Sequence, residues 1–232
     1  MILVWGTGES EYKAIKEAAV DIKNDSELNY TLAYYDKNAE KFAEETADVE
    51  FGMIQNRFLD KLEPGAKILD FGCGSGRDTK YFLERGYKVT AVDGSVAMCV
   101  IAGRYAETLV KHMQFQDLNE MNTYDGIWAC SSILHVPSRE LKDVIRKMVR
   151  ALRNHGVIYT SFKYGTFEGE RNGRYFTDMT EETFAELIRD IEELKIEELW
   201  LTSDVRPGRG EEKWLNLILR KEWILTKLNL RV

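Results

Sequence analysis

Cysteine is scarce in this chain of 232 residues. Cys73, Cys99 and Cys130 form an odd set with no C-x-x-C pair, which argues against a disulfide framework and for a reducing compartment. Histidine is as rare, at 112, 135 and 155, and in no ligand spacing, so a metal centre is not indicated. No uninterrupted apolar stretch approaches the ~20 residues of a membrane span, and Met1-Ile-Leu-Val-Trp5 lacks the basic start and longer apolar core of a signal peptide. Basic residues are outnumbered: 32 Lys and Arg against 39 Asp and Glu leave a net charge of −7, which disfavours a broad polyanion-binding surface without excluding a local basic patch. These absences describe a cytoplasmic protein with no membrane partner and with nucleic acid as a minority option. They leave the oligomeric state open.

What is present fits one α/β domain. A hydrophobic content of 44% with 31% charged residues and three prolines belongs to a folded globular chain rather than a disordered one. The organising stretch is Ile68-Leu-Asp-Phe-Gly-Cys-Gly-Ser-Gly-Arg-Asp78. An apolar run from Lys67 to Phe71 feeds a loop with glycines at 72, 74 and 76, and helical spacing begins at Arg77: the strand, turn and helix of a nucleotide-binding unit.

A dinucleotide fingerprint requires G-x-G-x-x-G. Here the third glycine falls one position early, and Arg77 stands where a pyrophosphate binder places glycine. What remains is an acid, Asp70, two residues before Gly72, which suits a ligand carrying a cation better than one carrying phosphates. The next apolar run, Lys88 to Val92, ends in Asp93, placed to accept both hydroxyls of an adenosine ribose. Asp117, after a third strand, is positioned to accept from an exocyclic adenine amine. Three acids at successive strand ends suggest a cationic adenosine ligand.

The ordered set Asp70-Phe-Gly-Cys-Gly-Ser-Gly76, Val92-Asp-Gly-Ser95, Phe115-Gln-Asp-Leu118 and Tyr124-Asp-Gly-Ile-Trp-Ala-Cys-Ser-Ser-Ile-Leu-His-Val136 resembles the class I S-adenosylmethionine (SAM)-dependent methyltransferases over roughly residues 30 to 221. Ser132-Ile-Leu-His-Val136 and Ser161-Phe-Lys-Tyr-Gly165 are similar to segments of bacterial methyltransferases of the tellurite-resistance type. The resemblance implies a Rossmann-like three-layer α/β sandwich whose seven-stranded, mostly parallel sheet has the order 3-2-1-4-5-7-6 with the last strand antiparallel. It implies SAM as cofactor and S-adenosylhomocysteine as product. It also implies a cofactor site drawn from Tyr35, Asp70, Gly72, Cys73, Gly74, Arg77, Asp93, Gly94, Ser95, Met98, Asp117, Leu118, Cys130 and Ser131.

Taken in order, residues 1–29 read as an extension, an accessory strand and helix or a poorly ordered segment, with Gly6-Thr-Gly8 as a weaker second glycine turn; residues 30–232 form the methyltransferase domain. Helical spacing covers Tyr30 to about Ala47, and in the resembled family a helix with Tyr-Asp-x-x-Ala closes over the cofactor, so Tyr35 either touches the sulfonium end or simply packs. A second helix covers Phe51 to Leu62, and Ser95 is a candidate N-cap for one running to about Leu109. Met98 on it either covers the adenine or belongs to the core.

Tyr124 to Ala129 is the fourth strand, and His135, just past its carboxyl end, is either a general base or a shape-giving part of the pocket wall. A helix from Ser138 carries a basic stripe from Lys142 to Arg153, either an RNA contact or a solvated face, and ends at Asn154-His-Gly156 before a fifth strand from Val157 to Phe162. Beyond it, Lys163, Tyr164, Arg171 and Arg174 are candidates to hold a small, anionic acceptor, the alternative being a hairpin whose Glu and Arg pair with each other. Arg206 and Arg209, between two final antiparallel strands, are further anion-site candidates, with turn-stabilising ion pairs as an equal alternative. The reading that results is methyl transfer to a small molecule. Its rivals are an RNA methyltransferase, a non-catalytic SAM-binding protein and an NAD(P)-dependent oxidoreductase.

Overall fold

A computed structural model describes residues 3–4, 27–206 and 208–223. The glycine turn and helical spacing expected within residues 5–26 lie outside the described residues.

The fold is built around β2 (Lys67–Phe71), whose residues after Lys67 are all buried, as a strand covered on both faces requires. It pairs in parallel with β3 (Lys88–Asp93) on one side and β5 (Tyr124–Ala129) on the other. β4 (Val110–His112) continues the sheet beyond β3, and β6 (Leu152–Lys163) continues it beyond β5. β9 (Leu194–Ser203) and β10 (Lys213–Lys221) close that end, with β10 inserted antiparallel between β6 and β9. From β4 to β9 the order is therefore the expected 3-2-1-4-5-7-6. One detail differs: a two-residue β1 (Leu3–Val4) pairs antiparallel with β4 and adds an eighth strand at the edge.

The helices are α1 (Glu27–Thr46), α2 (Gly52–Leu59), α3 (Arg77–Glu84), α4 (Val96–Tyr105), α5 (Ser138–Ala151) and α6 (Glu181–Ile188). Alternate strand residues face opposite layers. Leu69, Phe71, Ile127 and Ile158 meet α5 and α6, while Ile68, Trp128 and Tyr159 meet Phe58 of α2 and Phe82 of α3. Trp128 and Tyr159, paired across β5 and β6, stack at 4.1 Å between ring centroids.

Several boundaries depart from expectation, α2 among them, which stops at Leu59 rather than Leu62. α4 stops at Tyr105 rather than near Leu109. β6 begins at Leu152, directly after α5, and Asn154-His-Gly156 is an irregularity inside the strand rather than a linker before it. A Cβ at Gly156 would lie 2.9 Å from the Arg153 carbonyl oxygen, so only glycine lets the chain double back there. On α5, Lys142 pairs with Asp190 at 3.0 Å, Arg146 with Asp143 at 3.2 Å, and Lys147 donates to the Gln116 carbonyl at 2.6 Å. Much of the basic stripe is thus engaged within the chain. No helix among the described residues is long and apolar enough to cross a membrane.

The segment after β6 forms a separate two-stranded hairpin, β7 (Glu168–Arg171) and β8 (Arg174–Thr177). Its turn, Asn172-Gly173, has positive φ at both residues, 54° and 77°, the geometry that makes Asn-Gly a hairpin signature.

Candidate active site

The carboxyl ends of β2, β3 and β5 lie along one edge of the sheet, where open α/β sheets bind ligands. A cavity of about 650 Å³ opens there. Its floor is the turn after β2. Gly72 adopts φ 87°, and a Cβ on it would stand 2.5 Å from that of Ser132; at Gly76, φ 84°, a Cβ would meet the Ala102 Cα at 2.9 Å. The bare backbone is therefore a packing requirement as well as a ligand surface.

Beneath the turn, the Asp78 carboxylate accepts from Gln55 Nε2 (2.6 Å), Trp128 Nε1 (2.8 Å) and both Nε and Nη2 of Arg77 (2.8 and 2.9 Å). Arg77 lies in turn over the ring of Phe51, 4.4 Å from its centroid. Asp70 is buried in the same layer and accepts from Thr79 Oγ1 at 2.5 Å. Burial, and then the charge of Asp78, push its carboxyl up to about 8.

Asp93, at the end of β3, lines the cavity. Its Oδ2 accepts from the Gly74 amide at 2.9 Å and its Oδ1 from the Ser95 amide at 2.8 Å, so each oxygen keeps a lone pair for a ligand. Burial raises its pKa, against the pull of those two amides. Gln114 and Phe115 line the cavity on this side, as does Met98.

α1 covers the cavity as a lid kinked at Asn38 (φ −112°, ψ 15°). Asp36 docks it on the start of α4, accepting from Ser95 Oγ at 2.6 Å and the Ala97 amide at 3.1 Å. Beyond the kink, Phe42 lines the cavity above the turn, and a Cβ at Gly74 would lie 3.5 Å from its ring. The hairpin locks the other side, where the Tyr175 amide donates to Thr31 Oγ1 at 2.9 Å.

Where lid and hairpin meet, Tyr35, His135 and Arg174 form a chain. His135 Nδ1 lies 2.6 Å from the Tyr175 carbonyl oxygen, which can only accept, so Nδ1 carries the proton and Nε2 offers a lone pair. The Tyr35 hydroxyl donates to that lone pair at 2.9 Å. Burial lowers the His135 pKa to about 4 and raises that of Tyr35, so both are neutral near pH 7. Arg174 Nη1 donates to the Tyr35 oxygen at 3.4 Å.

The remaining cations are mostly committed. Lys163 is paired with Glu212 and, at 3.5 Å, with Asp204. Arg206 holds Asp204 through Nε and Nη2 at 2.9 and 2.6 Å, which keeps that carboxyl well below the usual range despite burial. Arg171 is paired with Asp178 at 2.7 Å. Thiol chemistry is not supported: burial holds Cys73 well above its usual value and pushes Cys130 up to about 12.

The cavity gathers most of the residues expected from sequence. Tyr35, Gly72, Cys73, Gly74, Arg77 and Asp93 line it, as do Gly94, Met98, Cys130, Ser131 and His135. Lys163, Tyr164, Arg171 and Arg174 line it too, although Lys163 and Arg171 are already ion-paired. Four expected residues are elsewhere. Asp70 and Ser95 are buried supports of the turn and of α4. Asp117 is exposed on a 3₁₀ turn, Phe115–Asp117, and Leu118 is wholly buried in the core, because that turn presents Gln114 and Phe115 to the cavity instead. Phe42, Phe51 and Gln114 line the cavity without any motif to announce them. Asp36 sat inside a recognisable Tyr-Asp-x-x-Ala segment, but its docking role depends on where α4 starts.

Among the described residues no group of three or more His, Cys, Asp and Glu can hold a metal. The donor set fits a flat, cationic adenosine ligand: bare backbone below, a half-buried carboxylate with spare lone pairs beside it, and apolar Met98 and Phe115 around it.

Comparison with known proteins agrees. A family described as methyltransferase domain matches residues 68–156, from β2 into β6. An uncharacterized methyltransferase of Staphylococcus carnosus is 26% identical over 195 residues, covering 79% of this chain and 93% of its own. The malonyl-[acyl-carrier protein] O-methyltransferase of Salmonella typhimurium is 33% identical over 98 residues, 40% of this chain and 37% of that one. Among solved structures, the 1,6-didemethyltoxoflavin-N1-methyltransferase of Burkholderia thailandensis, holding 1,6-didemethyltoxoflavin and S-adenosylhomocysteine, superposes with a TM-score of 0.66 at 22% identity, covering 96% of this chain and 94% of that one. TehB from Haemophilus influenzae gives a TM-score of 0.62 at 17% identity over 80% of this chain and 67% of that one, a likeness of fold that does not single out the tellurite-resistance type. The methyltransferase-domain match, the relatives and the strand order together support a class I SAM-dependent methyltransferase.

Proposed function

We propose that the chain transfers the methyl group of SAM to a small organic acceptor. The observation that carries this is closure: α1 and the β7–β8 hairpin meet over the cavity through Thr31 and Tyr175, and the volume of about 650 Å³ leaves room for a cofactor and a modest second molecule. An RNA or protein acceptor would have to part that contact, and much of the positive charge on α5 is neutralised at home.

When bound, SAM supplies a methyl group on a cationic sulfur, which keeps the C–S bonding pair as the acceptor's lone pair takes the carbon. With so good a leaving group the chain's task is orientation and exclusion of water, and well-positioned reactions can gain about 7–11 kcal/mol from placement alone. Asp93 and the glycine turn hold the nucleoside end. Tyr35, fixed by His135, forms part of the wall above the reacting centre, and the neighbour that binds didemethyltoxoflavin lends weight to a small, flat acceptor.

The test is transfer of labelled methyl from SAM in a size-fractionated cell extract. Label in the low-mass fraction is the expected result, and label confined to RNA or protein would overturn the reading. Titration with NAD(P) beside SAM separates the oxidoreductase alternative.

A further inference from the structure

Phe176 is flanked by two guanidinium groups, Arg171 with its central carbon 4.9 Å from the ring centroid and Arg174 at 5.2 Å. One carboxylate, Asp178, serves Arg171. Among the described residues Arg174 has no carboxylate partner, and its buried Nε has no hydrogen-bond partner. The rings of Tyr34 and Tyr35 hold it from other sides, at 4.7 and 5.8 Å, and its Nη1 reaches the Tyr35 hydroxyl. A guanidinium stacked on aromatic faces keeps its N–H edge for a ligand in its own plane. An uncompensated cation so enclosed is costly unless an anion joins it.

Most of the groups that would remove a proton from an acceptor here are occupied. The free lone pair of His135 holds Tyr35, and Nδ1 is fixed as a donor by Tyr175. Asp204 is bound to Arg206 and Trp214, and Glu212 to Lys163, while Asp178 gives Oδ2 to Arg171 and keeps a buried Oδ1 without a hydrogen-bond partner among the described residues.

Resting on the methyltransferase reading, we propose that the acceptor is a small organic acid bound as its monoanion, with the ionised oxygen or nitrogen seated on Arg174. Recognition and activation are then one event: the cation that binds the acceptor also favours its deprotonated, nucleophilic form, so that no general base is required. His135 is a positioning residue. By holding the Tyr35 proton it turns the phenol oxygen toward Arg174 and keeps the guanidinium in place.

The experiment uses the full chain loaded with S-adenosylhomocysteine, so that no turnover occurs, and matched probes titrated by calorimetry: benzoate against benzamide, and 4-nitrophenolate against 4-nitroanisole. The expected result is that at least one anion binds 10-fold or more tighter than its neutral partner. Arg174→Gln abolishes that preference, Arg174→Lys keeps part of it, and both variants bind S-adenosylhomocysteine within two-fold of wild type. Absence of any preference for the anion, or a preference that survives Arg174→Gln, overturns the proposal. So does loss of S-adenosylhomocysteine affinity in Arg174→Gln, which would assign this arginine to the cofactor. Failure of the wild-type chain to bind S-adenosylhomocysteine would instead count against the methyltransferase reading itself.

Discussion

Asp93 accepts the backbone amide of Gly74 at 2.9 Å, so the last residue of β3 is tied directly to the turn that follows β2. One carboxylate thereby shapes the glycine turn and faces the cavity. Asp93→Ala removes both functions. Hydrogen bonds to a charged group are worth about 1.5–3 kcal/mol each, so losing two to a ribose should weaken S-adenosylhomocysteine binding by on the order of 100-fold or more. Calorimetry checks this, and unchanged affinity in the variant would remove Asp93 from the cofactor site.

Asp78 is expected to matter for stability. Its carboxylate is the common acceptor for Gln55, Arg77 and Trp128, and Asp78→Ala leaves a largely buried guanidinium unpaired. Removing one partner of such a pair costs about 3–5 kcal/mol, or a fall in Tm on the order of 10 °C for a chain of this size. Asp78→Asn, which keeps an acceptor for Trp128, should fall less in the same thermal melt.

Two glycines at similar φ should respond differently to alanine. Gly86, φ 82°, follows α3 with open space where a Cβ would go, so Gly86→Ala costs only the left-handed backbone, about 1–2 kcal/mol. Gly76, φ 84°, faces the backbone of Ala102 at 2.9 Å, and Gly76→Ala must also separate the turn from α4. The second variant should melt several degrees below the first and bind S-adenosylhomocysteine more weakly. Equal melting temperatures would show that the turn can yield.

His135 gives the fold a pH dependence with a definite sign. Its pKa falls from 6.5 to about 4 on folding because burial disfavours the imidazolium. Below 6.5 the unfolded chain takes up a proton that the folded chain refuses, so this contribution is fully present above 6.5 and is lost as pH drops toward 4. Its full size is about 3 kcal/mol. Asp70, raised to about 8, acts in the opposite sense, contributing below its ordinary value and losing that contribution as pH rises through 8. The two windows overlap, so the His135 share is read as a difference. His135→Gln should show a smaller loss of urea midpoint between pH 6.5 and 4.5 than wild type, and parallel curves would contradict the burial of a neutral imidazole.

The sheet was legible in the sequence because its strands are continuous apolar runs ending in recognisable turns: Lys67–Phe71, Lys88–Asp93 and Tyr124–Ala129 fall where the pattern puts them. The glycine-turn side of the cavity was legible for the same reason, since Gly72, Gly74 and Asp93 follow those strands directly. Asp117 was misplaced because a strand end predicts where a residue is along the chain and not which way a 3₁₀ turn rotates it. Whether Lys163 or Arg171 is free to bind an anion is set by Glu212 and Asp178, and Glu212 is 49 residues from Lys163, a pairing that no local pattern announces. The eighth strand is two residues long, too short to carry a periodicity.

The hairpin of β7 and β8 belongs to its own small sheet, outside the eight strands that position the glycine turn and Asp93. Ten consecutive residues from Glu168 to Thr177 carry Arg171, Arg174 and Phe176. With the acceptor seated on Arg174 as proposed, descendants of this chain would acquire a taste for a new one by rewriting one short insert, while the glycine turn and Asp93, laid down by distant segments, are inherited untouched.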